Sequence, residues 1–339
     1  MSTFATGYEI DPLTLLAIRH GTDKWGPHFY TPVYDQLFSH LRDRPIRLLE
    51  IGVGGYDLRT MGGASLAMWA NYFQNGEITG IDPMEKRLTL DPRIKVLQGS
   101  QDDPAFLNEV CEKRGPFDII IDDGSHVPKH MVGTFNVLFP SLVNGGTYVI
   151  EDMQTAFWPH FGGSMLHGGE IMKLVRTIIE CLNHAEIGIV DRSHAFPPFA
   201  KQVKSFRACH NLLIIEKGGN DEPSNYAYDL NNPRAATALR LMERELEGEP
   251  TVEGLANLSN LYLVGGNVAK ATEVAERALS KWPENAIALM AAYFVAKRKN
   301  DAVAKVNYLE RILQIEPDNP VVQQITEQAR AELKQRISP

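Results

Sequence analysis

Five short apolar runs, each closed by Gly, Asp or Glu, punctuate the chain at 46–52, 78–82, 94–99, 117–122 and 146–151. Between them, 65–73, 104–114 and 130–142 repeat apolar residues at the period of a helix face. Strands alternating with helices imply βαβ units, a parallel sheet and helices on both of its faces. The runs 204–207 and 211–217, separated by Ala208 to His210, read as a β-hairpin appended to that sheet. The expected fold is α/β: a doubly wound, mostly parallel, seven-stranded Rossmann-like domain over 1–217. The stretch 218–233, rich in Gly, Asn, Asp and Pro and without periodicity, reads as a linker.

Beyond the linker, 234–339 shifts toward Ala, Leu and Glu, and an internal repeat emerges. Leu258, Tyr262, Ala271, Ala275, Ala278 and Pro283 keep the spacing of a tetratricopeptide repeat, and Pro317 falls 34 residues after Pro283, one period of that repeat. Ala292, Ala296, Leu309 and Ile312 hold the equivalent places, while Lys305 fills a slot that usually takes a small residue. The segment 235–248 fits the second helix of an incomplete repeat, and 321–336 a terminal capping helix. The tail resembles two to two and a half tetratricopeptide repeats, an all-α helical repeat domain whose concave surface would serve a protein partner or self-association. An ordinary helical bundle is the alternative reading.

Composition narrows the function. With 44% hydrophobic and 22% charged residues the 339-residue chain belongs with folded rather than disordered sequences. A net charge of −8 argues against nucleic acid as a partner. Cys111, Cys181 and Cys209 form no CxxC pair and read as reduced, buried thiols of a cytoplasmic protein. The N-terminal residues lack a leader pattern, and no run of 18 apolar residues suggests a membrane span.

Candidate chemistry gathers at the strand ends. The run Leu48-Leu49-Glu50-Ile51-Gly52-Val53-Gly54-Gly55 closes a strand with glycines that let backbone approach a ligand, although Asp57 fills the third slot of a full GxGxxG. Asp82, 30 residues after Gly52, ends the second strand where a carboxylate can accept both hydroxyls of a ribose. Together they resemble the class I S-adenosylmethionine-dependent methyltransferases. In that family Glu50 and Gly52 would belong to the glycine motif, Asp82 would be the ribose carboxylate, and Gly99, Ser100 and Gln101 would flank the adenine. A dinucleotide oxidoreductase is the competing reading of the same positions. It is disfavoured by the missing glycine, the terminal hairpin and the acids that follow.

Those acids are Asp122 and Asp123, ending the fourth strand with His126 close behind, and Glu151 and Asp152, ending the fifth. Neighbouring strands lie about 4.8 Å apart, so Asp123, Glu151 and Asp152 would converge on a hard divalent cation, Mg²⁺ first. Helix caps and solvated loop acids are the bland alternative. Glu151 and Asp152 can share a metal only if the strand has ended there, because consecutive strand residues face opposite ways. His126, delivered by a Gly-Ser turn, is the expected general base, with Asp123 beside it in the reaction. His130, His160, His167 and His210 read as loop or surface residues.

A closer resemblance rests on six blocks in order. They are Gly21-Thr22-Asp23-Lys24-Trp25 with His28, Tyr30 and Tyr34; Glu50-Ile51-Gly52; Gly62-Gly63-Ala64-Ser65-Leu66 with Met68-Trp69; Asp122-Asp123-Gly124-Ser125-His126; Glu151-Asp152; and Trp158-Pro159. These resemble the mycinamicin-type sugar O-methyltransferases over about residues 15 to 217. The resemblance implies Mg²⁺- and S-adenosyl-L-methionine-dependent methyl transfer to a sugar hydroxyl of a glycosylated natural product or polysaccharide. It implies Asp123, Glu151 and Asp152 as metal ligands and His126 as base. It also implies that Lys24, Tyr30 and Tyr34 close over the methionine end of the cofactor, with Gly54 and Asp122 among its contacts. The helical tail, and the lack of the long N-terminal extension through which some members assemble, depart from the family, so oligomeric state is not carried over. The segment 154–169, with Phe157, Trp158, Phe161 and paired glycines, is the candidate substrate lid. The competing functions are a catechol-like diol O-methyltransferase and a non-catalytic adaptor acting through its repeats.

Overall fold

The computed structural model describes residues 10–166 and 169–337. His167, expected as a surface histidine, and Gly168, one of the paired glycines of the candidate lid, lie outside the described residues. The chain divides into two compact units: residues up to His184 with His194–Asn220, and Ala185–Ser193 with residues from Asp221 on.

The first unit is built on one sheet of strands β1 (Arg47–Ile51), β2 (Glu77–Asp82), β3 (Ile94–Gln98), β4 (Phe117–Asp122), β5 (Leu142–Ile150), β6 (Val203–Cys209) and β7 (Leu212–Lys217). Their order is β3-β2-β1-β4-β5-β7-β6, parallel except for β7, which is antiparallel to β5 and to β6. The expected hairpin therefore enters the sheet through its second strand. β5 starts four residues earlier than its apolar pattern suggests, because Leu142 pairs with Phe117 across an irregularity in register that the polar Asn144 disguises.

Helices α1 (Pro12–His20), α2 (Thr31–Phe38) and α3 (Ala64–Tyr72) cover one face, and α4 (Pro104–Arg114), α5 (Pro128–Leu138) and α6 (Gly169–Leu182) the other. Strand residues sort between the two cores by alternation. Leu48, Ile119, Ile121, Val149 and Ile214 pack toward Trp69, Tyr34 and Phe38, whereas Leu49, Ile120, Ile150 and Ile215 pack toward Phe135, Met131 and Ile178. Near-continuous apolar strands are what a sheet buried on both faces requires. All three thiols are free, but only Cys181 is buried; Cys111 and Cys209 are half-buried.

The second unit contains α7 (His184–Val190), α8 (Pro233–Gly248), α9 (Val252–Val264), α10 (Val268–Lys281), α11 (Ala286–Arg298), α12 (Ala302–Ile315) and α13 (Pro320–Ile337), with His184 itself at the boundary. Side chains of Asn232, Thr251, Asn267, Asn285 and Asp301 each accept backbone N–H groups in the first turn of α8 to α12, so each of these five helices carries its own start signal. Lys305 is buried on α12 and paired with Glu332 of α13, which explains a cation in an otherwise small-residue slot. Part of the expected linker is packed: Tyr228 and Leu230 lie against the helical core. Among the described residues no helix is long and apolar enough to cross a membrane.

Candidate functional site

The ladders of β1, β4 and β5 end level, with Ile51 opposite Asp122 and Asp122 opposite Ile150. Chain emerging from these three ends builds the site. Asp123 N–H donates to the Ile51 carbonyl at 3.0 Å and Glu151 N–H to the Asp122 carbonyl at 3.0 Å, so the acids follow the last rung directly. Gly52 turns at φ +91°, and a Cβ there would sit 2.0 Å from the Asp123 carbonyl oxygen. Glycine is required because the strand ends pass this closely.

A cavity of about 810 Å³ opens above these ends, lined by the 52–57 loop, Asp82, the Gly99–Gln101 turn and the Asp123–His126 turn. Asp82 accepts from Val53 N–H at 3.2 Å and Met84 N–H at 2.8 Å, which fixes its carboxylate at the cavity wall. Thr22, Asp23 and His130 also line it. His130, expected as a surface residue, lies on α5 with Nδ1 3.0 Å from Ser125 Oγ. Thr22 and Asp23 belong to the first of the six sequence blocks, whereas nothing local marks His130, which α5 brings in.

The acids form one cluster around a buried cation. Lys24 Nζ lies 2.7 Å from Glu151 Oε1, 2.8 Å from Asp123 Oδ2 and 3.1 Å from Glu50 Oε1, and its side chain is 1% exposed. Burial opposes its charge, but Asp123, Glu151 and Glu50 together outweigh burial and hold the ammonium well above its ordinary pKa. Burial, and next to it the charge of Asp123, push the Glu151 carboxyl well up against the pull of Lys24. Tyr34 hydroxyl donates to Glu151 Oε1 at 2.5 Å.

β5 stops at Ile150, and Asp152 adopts φ +53°, so Glu151 and Asp152 are freed from strand alternation. Tyr30 hydroxyl donates to Asp152 Oδ1 at 2.7 Å; His126 Nε2 and His28 Nδ1 lie 3.5 and 3.6 Å from the same carboxylate. Burial raises Asp152, yet Tyr30, His126 and His28 outweigh it and keep its pKa low. Among the described residues, Asp123, His126 and Asp152 bring one ligand atom each within 4.8 Å of one another. Two of the expected metal ligands, Asp123 and Asp152, are in this group; Glu151 Oε1 faces Lys24 and Tyr34, while His126 faces the two aspartates.

Several expected cofactor contacts have other partners. Lys24, Tyr30 and Tyr34 direct their polar atoms at the acids, and Glu50 accepts from Ser65 Oγ at 2.9 Å. None of the four lines the cavity. Asp122 is fully buried, bonded by Gln101 Nε2 at 3.2 Å, and burial pushes its carboxyl up to about 7. His28, named in the sequence without a role, joins the acids 124 residues from Asp152 in the chain. In the candidate lid, Phe157 and Trp158 are 43% and 42% exposed, Trp158 stacks on His160, and the Phe161 ring stands 6.4 Å edge-on to His126.

The doubly wound sheet, with its glycine turn, the Asp82 carboxylate and the acid-histidine cluster at the strand ends, is similar to that of solved methyltransferase structures. The MycE methyltransferase from the mycinamycin biosynthetic pathway, in complex with Mg and SAH, matches with TM-score 0.60 and 37% identity over 68% of this chain and 61% of that one. Its complex with Mg, SAH and mycinamycin VI matches with TM-score 0.56 and 39% identity over 64% of this chain and 57% of that one. Curated relatives are sugar O-methyltransferases. The 8-demethyl-8-(2-methoxy-alpha-L-rhamnosyl)-tetracenomycin-C 3'-O-methyltransferase of Streptomyces olivaceus is 44% identical over 61% of this chain, and the mycinamicin VI 2''-O-methyltransferase of Micromonospora griseorubida is 41% identical over 62%. The chain spans about half the length of these relatives, 54% and 53% respectively. No protein-family model matches it.

Proposed function

We propose that this protein is an S-adenosyl-L-methionine- and Mg²⁺-dependent O-methyltransferase acting on a sugar hydroxyl of a glycosylated natural product or polysaccharide. One observation carries the reading: Asp123 both lines the cavity beside the Gly52 turn and belongs to the acid-histidine group. Cofactor pocket and acceptor chemistry thus meet at Asp123, and at His126, which also lines the cavity. The relatives' sugar acceptors favour a sugar over a catechol-like diol.

The donor set fits a hard cation. Asp123 and Asp152 offer carboxylate oxygens, with Glu151 adjacent, and such oxygens suit Mg²⁺. These three would hold it; a bound Mg²⁺ supplies positive charge that acidifies and orients an acceptor hydroxyl. His126 is the base. Its Nε2 accepts the hydroxyl proton, and Asp152 and Asp123, at 3.5 and 4.0 Å, stabilise the resulting imidazolium. The turn at Gly52, the Asp82 carboxylate and the Gly99–Gln101 segment cradle the sulfonium cofactor, while Phe157 and Trp158 offer aromatic faces to the sugar. We take the helices from Pro233 on as a tetratricopeptide-like unit for protein contact, supported by the Pro283 to Pro317 period and by the packing of α9 on α10 and α11 on α12.

Isothermal titration of S-adenosylmethionine with Mg²⁺ or chelator, followed by transfer of labelled methyl to rhamnosylated acceptors, tests the proposal. Binding, and transfer that stops in chelator, is the expected result. Absence of cofactor binding overturns it.

A further inference from the structure

Lys24 does more than an ordinary buried ion-pair partner needs to do. Its three N–H donors face three carboxylates from three different strand ends: Glu50 on β1, Asp123 after β4 and Glu151 after β5. The loop carrying it is pinned by Tyr30 N–H donating to the Lys24 carbonyl at 3.1 Å and by the packing of Trp25 on Phe29. With Asp152, which faces His28 and His126, the site holds four carboxylates and, among the described residues, one ammonium. Such a concentration of buried negative charge would push the strand ends apart without a cation inside it. Resting on the proposed metal-dependent function, we propose that Lys24 is a positioning residue, a resident cation that keeps Asp123 and Glu151 assembled when no metal is bound and moderates the grip on the metal when it is.

Two consequences follow from the charge. The folded site persists without metal, because its carboxylates are already bridged. Mg²⁺ must also enter beside a fixed positive charge that shares two of its ligands, so it binds less tightly than four free carboxylates would allow. Neither consequence follows if Lys24 only fills space or only touches the cofactor.

The test uses the full chain with three variants: Lys24→Met, Lys24→Arg, and Lys24→Met combined with Glu50→Gln. Urea unfolding is followed in chelator and in saturating Mg²⁺, and Mg²⁺ affinity is measured by isothermal titration. The expected result for Lys24→Met is a lower unfolding midpoint in chelator, recovery with Mg²⁺, and an affinity about tenfold tighter, reflecting loss of one nearby like charge. Lys24→Arg keeps the wild-type midpoint in chelator. The double variant removes one charge of each sign, so its chelator midpoint returns toward wild type even if Lys24→Met alone fails to fold.

A Lys24→Met variant with wild-type midpoint in chelator and wild-type Mg²⁺ affinity overturns the inference. So does a double variant as unstable as Lys24→Met, which would show that Lys24 supplies packing and not charge balance. A wild-type protein that binds no divalent cation overturns the proposed function instead, and the chelator midpoints still decide whether Lys24 assembles the carboxylates.

Discussion

Gly52 and Gly54 belong to one turn and look equivalent in the sequence, but the structure separates them sharply. Both adopt positive φ, +91° and +71°. An alanine at either position bears the left-handed penalty of roughly 1–2 kcal/mol. Around Gly54 nothing lies within 4 Å of a new Cβ, so strain is the whole effect. At Gly52 the Cβ meets the Asp123 carbonyl oxygen at 2.0 Å, where an ordinary C···O contact is about 3.3 Å. The ends of β1 and β4 would have to part by about 1 Å, adding an overpacking cost of about 1–3 kcal/mol. Gly52→Ala is therefore expected to destabilise by about 2–5 kcal/mol and Gly54→Ala by about 1–2 kcal/mol, measured by urea unfolding. Because the intruding methyl bears on Asp123 itself, Gly52→Ala also weakens Mg²⁺ binding in isothermal titration, whereas Gly54→Ala leaves it unchanged. Equal losses for the two variants, or intact metal binding in Gly52→Ala, would refute the reasoning.

Other expectations follow from the same geometry. His126→Ala should abolish methyl transfer while Mg²⁺ binding persists; unchanged turnover would show that the proton goes elsewhere. Tyr34→Phe removes the hydroxyl bonded to buried Glu151 and should cost about 0.5–1.5 kcal/mol of stability, the net worth of a typical hydrogen bond; an unfolding midpoint equal to wild type would contradict that bond. Gly133→Ala, on α5 with open space around its Cβ, should stabilise the protein by about 0.5–1 kcal/mol, which thermal unfolding can check. Burial pushes the Cys181 thiol up to about 11, so little thiolate exists at pH 8 and iodoacetamide should label it only after denaturant is added. Mass spectrometry finding native Cys181 labelled as readily as Cys209 would count against that burial.

Much of the fold was legible because its signals are local. Phe117–Asp122 and Pro104–Arg114 were bounded to the residue: an apolar run closed by carboxylates marks one, and an Asp103 cap followed by Pro104 marks the other. α1, α2 and α6 were not anticipated. α1 and α2 are short, nine and eight residues, and give a pattern too brief to mark them, but α6 carries a helix-period apolar stripe, Ile171, Leu174, Ile178 and Cys181, that was legible in the sequence. The acids were legible as residues, but their division of labour was not. Glu151 and Asp152 are adjacent in sequence, yet one is drawn to Lys24 and Tyr34 and the other to Tyr30, His28 and His126.

By itself, the sequence determined the alternating elements, the acidic strand ends and the helical character of the tail, since each depends on residues within about one element's length of one another. The tertiary structure decided which charges meet. Lys24 stands 99 residues from Asp123 and 127 from Glu151, and nothing local to any of them encodes the pairing. Those partners exist because three parallel strands end on one level and a loop from the N-terminal segment fills the gap above them. A buried charge in that gap is tolerated only where opposite charge already waits.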